Sequence, residues 1–395
     1  MASIFDQIVE RRGSDGYKWI QYGDDVLPLW VADMDFVSPQ AILDAVHSRV
    51  DEGVFGYVSD IPGLRQAICD RLLAHYDWAV DPDMVVYLPG VVSAINVVCQ
   101  AIGEPGDGVL INTPVYPPFL SAPGNQDREL HYGDQAVHVQ DHTLRYEIDF
   151  DALEAAIRPN TRVFILCNPH NPTGRVFTED ELTRLADMCE RHDLVICSDE
   201  IHCELLLDGS RHIPTATLSP QISDRTITLL APSKTFNIPS LHFSLVVIPN
   251  PKLRQQIKDS MAGLISSPNV LSMYAARSAY TECDDWLADL LEYLTANRDF
   301  LVDYVKTHLP GLRVTVPEGT YLAWIDCREL PIEGSPFDFF LNEAKVAFNN
   351  GPTFGQAGEG FVRLNFGCPR ATLQEALERM RTAMEGLWAS ERTVG

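Results

Sequence analysis

The chain has 395 residues, of which 46% are hydrophobic and 22% are charged, and this composition is typical of a soluble globular protein of two or three domains. Its 30 Lys and Arg residues against 55 Asp and Glu residues give a formal net charge of −25 at pH 7. A surface this acidic repels phosphate backbones and anionic lipids, so we expect no nucleic-acid partner and no membrane partner.

No apolar run approaches the roughly 20 residues of a membrane span, and the first residues lack the apolar core of a signal peptide. The nine cysteines form no C-x-x-C pair, which favours reduced, buried thiols in a cytoplasmic protein. A zinc site formed by Cys197, His202 and Cys203 is the alternative, and it is disfavoured because no second ligand pair has structural-zinc spacing.

In chain order, the middle of the sequence alternates short strands with helical patterns. Six runs are apolar on both faces, as in a parallel or mixed sheet covered by helices on both sides: 85–89, 108–113, 162–167, 194–199, 226–231 and 243–248. Helical patterns lie between them, at 91–103, 151–158, 178–192 and 252–280. The third helix begins with a capping box from Thr178 to Glu181. The alternation predicts a large, doubly wound, mostly parallel α/β domain over residues 46–285.

The pattern changes after residue 285. A long helix at 286–308 is followed by a strand-rich segment at 314–327, a glycine-bearing segment at 351–367 and a last helix at 370–388. We expect a smaller α+β C-terminal domain over 286–395. Residues 1–45 contain no strand pair of their own, and we expect them to pack on the small domain or on a partner subunit.

Polar side chains gather directly after the predicted strands. In a doubly wound sheet, ligands bind outside the carboxyl ends of the strands. Five segments occupy these positions: PGVVS (89–93), TPVYPPF (113–119), NPHNPTG (168–174), SDEIH (198–202) and PSK (232–234).

Each segment offers one chemical group. The backbone N–H groups of residues 91–93 form an anion site if a helix begins there. Tyr116, held between prolines, can stack on a flat ring, and Asn171 can donate a hydrogen bond. Asp199 ends an apolar strand and needs a cationic partner, such as a protonated ring nitrogen, unless it caps a helix. Lys234 is partly desolvated, which lowers the pKa of its amine and makes it nucleophilic, unless it reaches the surface.

Taken singly, each group is also compatible with an ordinary turn, a packing tyrosine or a surface lysine. Together they are the parts of a site for pyridoxal 5′-phosphate (PLP): an anion cradle, a ring stacker, a hydrogen-bond donor, a carboxylate and a Schiff-base lysine.

The order of these segments resembles the PLP-dependent enzymes of fold type I, in the class I/II aminotransferase superfamily. Segments across the chain resemble the MalY/PatB branch of cystathionine β-lyases and cysteine-S-conjugate β-lyases: KWIQYGDDVLPLWVADMDF (18–36), FGYVS (55–59), NPHNPTGRVF (168–177), APSKTFNIP (231–239) and FVRLNFGCPR (361–370). The resemblance implies a PLP-dependent C–S lyase of the fold type I class, with a large and a small domain.

The resemblance also assigns the contacts to PLP. Lys234 matches the lysine that holds PLP as a Schiff base, and Asp199 matches the partner of the pyridine nitrogen. Asn171 matches the donor to the phenolic oxygen, with His202 nearby, and Tyr116 matches the ring stacker. Cis peptide bonds are implied at Thr113–Pro114 and at Asn171–Pro172.

Further residues match positions that bind the phosphate or the substrate. Val91, Val92 and Ser233 match phosphate-binding positions. Tyr57 matches a tyrosine that reaches the phosphate of the neighbouring subunit, which implies a homodimer with shared active sites. Arg363 matches the arginine that binds the substrate α-carboxylate, although a surface ion pair is its alternative. The substrate side is lined in relatives by two adjacent residues, here Ala32 and Asp33.

The sequence departs from the family pattern after the lysine. Pro239, Ser240 and Leu241 replace the usual Ala-Gly-Leu, and His242 stands where the superfamily has a phosphate-binding arginine. We expect the rigid proline to reshape the pocket.

The predicted reaction is β-elimination from L-cystathionine or another S-substituted L-cysteine, which gives a thiol, pyruvate and ammonia. Lys234 acts as the general base, and Lys234 or Tyr116 protonates the leaving sulfur. Three alternatives stay open: transamination, altered PLP chemistry such as decarboxylation or oxidative deamination of a cysteine conjugate, and a regulatory protein on the same scaffold.

Overall fold

The computed structural model describes residues 3–394. Its α-helices are α1 (Tyr17–Ile20), α2 (Gln40–Asp51), α3 (Leu64–Tyr76), α4 (Val91–Ala101), α5 (Pro117–Asn125), α6 (Phe150–Ala155), α7 (Glu179–Arg191), α8 (Pro220–Asp224), α9 (Pro251–Met261), α10 (Val270–Glu282), α11 (Asp284–His308), α12 (Pro336–Phe339) and α13 (Arg370–Val394). Its strands are β1 (Leu27–Pro28), β2 (Val85–Leu88), β3 (Gly108–Thr113), β4 (Glu129–Asp134), β5 (Ala136–Gln140), β6 (Thr143–Glu147), β7 (Thr161–Cys167), β8 (Val195–Asp199), β9 (Thr226–Leu230), β10 (Ser244–Val247), β11 (Arg313–Thr315), β12 (Leu322–Asp326), β13 (Val346–Ala347), β14 (Asn349–Asn350) and β15 (Phe361–Asn365).

The main sheet has seven strands in the order β2-β10-β9-β8-β7-β3-β4. All neighbouring pairs are parallel except those of β10, which runs antiparallel to β2 and to β9. All six predicted strands belong to this sheet. Apolar clusters cover both faces, one containing Val98 and Ile111 and the other containing Phe164 and Leu185. The predicted doubly wound, mostly parallel sheet is confirmed.

One predicted helix is wrong in its middle. The segment 252–280 forms two helices, α9 and α10, because Gly263 adopts a left-handed conformation with a φ of +76° and Pro268 follows it. Asn269 then caps α10 by accepting a hydrogen bond from Ser272 N at 2.9 Å. The capping box predicted for α7 is confirmed, with Thr178 and Glu181 bonding to each other's backbone.

A second sheet has six strands in the order β14-β15-β12-β11-β6-β5. It combines the hairpin β5–β6, which sequence patterns did not predict, with strands from the last third of the chain. The link between them is β11, which pairs in parallel with β6. The sheet therefore takes strands from both sides of residue 286, and the division of the chain into domains there stays a prediction.

The N-terminal segment is attached to the C-terminal third of the chain. Strand β1 pairs in parallel with β13. Phe5 and Met34 are buried in one apolar cluster with Leu294 of α11 and Leu377 of α13. Among residues 3–394, no helix combines the length and the apolar character that crossing a bilayer requires.

Candidate active site

The candidate site lies at the carboxyl edge of the main sheet. Asp199 ends β8, Asn171 follows β7, and Lys234 follows β9. These three strands are neighbours in the sheet, in the order β9-β8-β7, and all run in parallel. Tyr116 follows β3, the next strand along, and immediately precedes α5. The strand order therefore gathers these side chains on one edge.

Lys234 is held by the N-terminal segment. Its Nζ donates a hydrogen bond of 2.7 Å to the carbonyl oxygen of Ala32. The Tyr321 hydroxyl donates to the same oxygen at 2.9 Å. Burial, together with the nearby Arg363 guanidinium, lowers the pKa of Lys234 to about 8. A substantial fraction of the amine is thus uncharged near neutral pH, as a nucleophile or general base requires.

The loop after Lys234 is clamped to the same segment through Asn237. The Asn237 amide accepts from Met34 N at 2.9 Å and donates to the carbonyl oxygens of Met34 at 2.9 Å and Phe36 at 2.8 Å. Asn237 has a φ of +56°, a left-handed conformation that asparagine tolerates better than most residues. Sequence reasoning missed both Asn237 and Tyr321. The only signal for Asn237 was its place in the TFN motif, three residues after the lysine.

Asp199 is a buried carboxyl group that has no ion-pair partner among the described residues. It is 4% exposed, and its Oδ1 accepts a hydrogen bond of 3.1 Å from Ile201 N. Burial raises the pKa of Asp199 to about 7, the neighbouring Glu200 carboxylate adds to this rise, and Lys234 opposes it. No helix begins after Asp199, since residues 201–204 form a turn, so the helix-capping alternative is wrong. A cationic ligand group would satisfy this carboxylate.

The titration of Asp199 gives a test on cofactor-free protein. Its pKa is raised from 3.8 to about 7, so the folded state binds a proton that the unfolded state has lost in this range. The free energy of unfolding should therefore fall as pH rises from 4 to 7. In Asp199→Asn this loss disappears, and the variant should gain a few kcal/mol over the wild type at pH 8, since one pKa unit is about 1.4 kcal/mol.

The measurement is the urea midpoint of both proteins at pH 5 and pH 8. Asp44→Asn is the matched control, because Asp44 lies exposed on α2. An Asp199→Asn variant that tracks the wild type at both pH values would show that burial does not control this carboxyl group.

Arg363 lies in β15 and is 3% exposed, so its alternative as a surface ion pair is wrong. One guanidinium nitrogen donates to Asn171 Oδ1 at 2.9 Å, and the other donates to Trp30 O at 2.9 Å and to Asn349 Oδ1. No carboxylate pairs with it among residues 3–394, and its Nε has no hydrogen-bond partner. Burial lowers the pKa of Arg363 to about 10, and an anionic ligand would restore its ordinary stability as a cation.

His202 lies beside Tyr321, the residue that precedes β12. It is 3% exposed, and its ring is edge-on to Tyr321 with centroids 6.0 Å apart. Burial, with Lys234 and Arg363 nearby, lowers the pKa of His202 to about 3, so the ring is neutral. Its Nδ1 is buried without a partner in the described part of the chain, and is available to a ligand oxygen or hydroxyl.

A zinc site at His202 is not supported. Within residues 3–394, no three His, Cys, Asp or Glu side chains are grouped so that they could hold a metal ion. All nine cysteines are free and buried.

The other residues predicted to contact PLP are Tyr116, Val91, Val92 and Ser233. Tyr116 is half-buried, and burial raises the pKa of its phenol, with Arg363 opposing and Asp199 adding to this rise. Residues 91 and 92 begin α4, after Gly90 with a φ of +139°, and Ser233 directly precedes the lysine. Both predicted cis bonds are confirmed, and Asn168–Pro169 is a third that the sequence did not reveal.

Ala32 and Asp33 border the cluster. The Ala32 carbonyl accepts from Lys234, and Asp33, which pairs with Arg11 at 3.0 Å, is near enough for its charge to raise the pKa of the Lys234 amine, against the effect of burial. Two further predicted features lie to the side of the cluster. Tyr57 is fully exposed and makes no contact with the site of its own chain. Pro239 and Ser240 form a short turn on the wall of a cavity of about 550 Å³, which they share with Asp33 and α2.

With this geometry in place, comparison with known proteins identifies the family. The model of the family described as aminotransferase class I and II matches residues 24–380. The chain belongs to this family. Class I and II aminotransferase relatives include the cystathionine beta-lyase PatB of Bacillus subtilis strain 168, which is 36% identical over 388 residues, covering 96% of this chain and 99% of that protein. Protein MalY of Escherichia coli K12 is 34% identical over 394 residues, covering 97% and 99%.

Solved structures of the family agree with the fold. The crystal structure of cystalysin from Treponema denticola, which contains pyridoxal 5′-phosphate, superposes with a TM-score of 0.92 at 33% identity and covers 98% of this chain and all (100%) of that chain. The chain therefore has the fold of the fold type I PLP-dependent enzymes, as its sequence motifs predicted.

Proposed function

We propose that the protein is a PLP-dependent carbon–sulfur β-lyase, which cleaves L-cystathionine or another S-substituted L-cysteine to a thiol, pyruvate and ammonia. The observation that carries the proposal is the arrangement around Lys234. A buried amine of lowered pKa has near it one buried carboxyl group and one buried guanidinium, and neither is paired with an opposite charge in residues 3–394. Relatives named cystathionine beta-lyase support this reaction at 31–36% identity over nearly the whole chain.

The side chains present fit PLP. The unpaired Asp199 carboxyl group suits a protonated ring nitrogen, and the orphaned Nδ1 of His202 suits a polar ring substituent. Asn171 uses its amide oxygen for Arg363, which leaves its amide N–H groups to donate to the ring oxygen. Lys234 would hold the aldehyde carbon, and Tyr116 would stack on the ring. The phosphate would be bound by backbone and hydroxyl groups at Val91, Val92 and Ser233.

When bound, PLP supplies an electron sink for the electron pair left by breakage of the substrate Cα–H bond. The protein supplies orientation and proton transfer. Arg363 binds the α-carboxylate through a fork of two N–H donors, which fixes the direction of the Cα–H bond. The Lys234 amine, uncharged in part near pH 8, takes the Cα proton. Tyr116 keeps its proton at neutral pH because burial raises its pKa, so it can donate to the leaving sulfur.

The decisive assay mixes the purified protein and PLP with L-cystathionine in the absence of any 2-oxo acid. The proposal expects stoichiometric thiol and pyruvate. A keto acid that accumulates only when an acceptor is added would instead establish transamination, and release of CO₂ would establish decarboxylation. An unchanged substrate together with no visible absorbance of bound PLP would favour a regulatory protein.

The active form is proposed to be a homodimer with shared sites. Tyr57 lies in an exposed apolar run with Val54 and Phe55, which are 112%, 70% and 58% exposed, respectively. A second copy would cover this run and take Tyr57 to its own phosphate site. Sedimentation should give a dimer, and mixed dimers of Tyr57→Ala with Lys234→Ala chains should regain activity that neither variant has alone. The free, buried cysteines support a reducing, cytoplasmic location.

A further inference from the structure

Asn349 faces Arg363 across a pair of antiparallel strands. Strand β14 pairs with β15, and in this register Asn349 lies directly opposite Arg363. Directly opposed side chains leave a sheet on the same face, with their Cβ atoms about 5 Å apart. The Asn349 amide oxygen accepts a hydrogen bond from Nη2 of the guanidinium. Because a guanidinium can only donate, the amide atom that faces it is the oxygen.

The groups that hold the guanidinium within residues 3–394 are all neutral. Nη1 donates to Asn171 Oδ1 at 2.9 Å, and Nη2 donates to Trp30 O at 2.9 Å and to Asn349 Oδ1. The ring of Phe354 lies against the guanidinium, with its centroid 5.0 Å from Cζ. Two side-chain amides, one backbone carbonyl and one aromatic face therefore orient the cation, and none of them cancels its charge.

The backbone after β14 is packed too closely to shift freely. Strand β14 has only two residues, and Gly351 follows it. A Cβ at Gly351 would lie 2.1 Å from Gly358 O and 2.3 Å from Phe361 O, so only glycine fits there. This close approach to the start of β15 fixes the register that places Asn349 opposite Arg363.

A neutral residue at position 349 has a consequence for the charge of Arg363. The arginine is only 3% exposed, and a buried cation without an ion-pair partner is costly, although neighbouring dipoles offset part of the cost. Aspartate has nearly the same shape as asparagine, but in this place it would form an ion pair with the guanidinium. The amide of Asn349 orients the same donors and leaves the charge free for an anionic ligand.

We propose that Asn349 is a positioning residue for the substrate α-carboxylate: it is a neutral acceptor that orients the Arg363 guanidinium and leaves the positive charge to the substrate. This inference rests on the proposed function for the identity of the ligand, an α-amino acid. It gives Asn349 a share in discriminating amino acids from the corresponding amines, which lack the carboxylate.

The experiment compares two small probes that differ in one group. The first, 3-(trifluoromethylthio)propanoate, has a carboxylate and no amine, and the second, 2-(trifluoromethylthio)ethylamine, has an amine and no carboxylate. Their dissociation constants are measured by ¹⁹F NMR at pH 8 for PLP-loaded wild type, Asn349→Ala and Asn349→Asp. This measurement needs no turnover of substrate.

Asn349→Ala is expected to bind the carboxylate probe about tenfold more weakly, the effect of losing one hydrogen bond to a charged group. Asn349→Asp is expected to bind it about 100-fold more weakly, because an ion pair inside the protein then competes with the probe. Neither variant should weaken binding of the amine probe, since that probe has no group for Arg363.

Asn350→Ala is the matched control. Asn350 is the other residue of β14, its side chain leaves the strand on the opposite face, and its Oδ1 has no hydrogen-bond partner among the described residues. This variant should bind both probes as wild type does.

Three results would overturn the proposal. They are wild-type affinity of Asn349→Ala for the carboxylate probe, equal weakening of both probes, and an Asn349→Asp variant that binds the carboxylate probe no more weakly than Asn349→Ala. If Asn349→Asp does not fold, the selective loss in Asn349→Ala decides alone. A wild type that binds the carboxylate probe but releases no thiol from L-cystathionine would overturn the proposed function and leave the role of Asn349 standing.

Discussion

Lys234→Ala is expected to lower kcat for thiol release by about 10³-fold, the effect typical of losing a positioned general base. It should also remove the visible absorbance of a lysine-bound cofactor. The reason is geometric as well as chemical, because Lys234, in the loop after β9, lies close enough to Asp199 and Arg363 for both charges to act on its amine. Steady-state assays of thiol formation and an absorbance spectrum of the reconstituted protein would measure both effects.

Lys258→Ala is the control for this variant, since Lys258 is exposed on α9. It should leave both measurements unchanged. Exogenous methylamine or a similar small amine should partly restore Lys234→Ala, because it supplies the missing base. Full activity in Lys234→Ala would remove the basis of the proposed function.

Arg363→Lys is expected to lower kcat/KM by about 100-fold, because weakening the buried charge pair that Arg363 would form with the substrate carboxylate costs about 3 kcal/mol. The lysine keeps the positive charge but loses the fork of N–H donors that matches a carboxylate. It also abandons the hydrogen bonds to Asn171 and Trp30 that orient the guanidinium. Saturation kinetics with L-cystathionine show where the loss falls. If the variant still orients the bound substrate correctly, most of the loss should appear as a higher KM. If it does not, most of the loss should appear as a lower kcat.

Arg158→Lys provides the comparison, because Arg158 is largely exposed and pairs only loosely with Glu129, at 3.6 Å. A second comparison uses an S-substituted cysteamine, which has no α-carboxylate. If Arg363 binds that group, its replacement should not further weaken binding of the cysteamine compound. Equal losses for both compounds would assign Arg363 a purely structural role.

The local parts of the fold could be predicted from the sequence. The six core strands are apolar on both faces, and this property depends only on neighbouring residues. The helix predicted at 252–280 was wrong because its apolar periodicity continues across Gly263 and Pro268, and the backbone of those two residues decides the outcome. Hairpin β5–β6 was missed because β5 is almost entirely exposed and only two residues of β6, Leu144 and Tyr146, are buried.

In the candidate site, too, the features set by nearby sequence could be predicted and those set by distant contacts could not. Residues at strand ends, such as Asp199 and Lys234, could be found because strand position alone places them. Tyr321 could not be found in this way, because its hydroxyl contacts the site through Ala32, which lies 289 residues away in the chain. Tyr57 cannot be placed by one chain alone, since the proposed contact is with a second subunit.

The contacts of the site have one consequence for how the chain acquires its activity. The bond from Lys234 to Ala32 spans 202 positions, and that from Arg363 to Asn171 spans 192. Contacts of such high sequence separation form late, because the loops they close must first be ordered by other structure. A nascent or partly folded chain therefore holds a lysine without its neighbours, and reactive chemistry begins only when the whole polypeptide has reached its native topology.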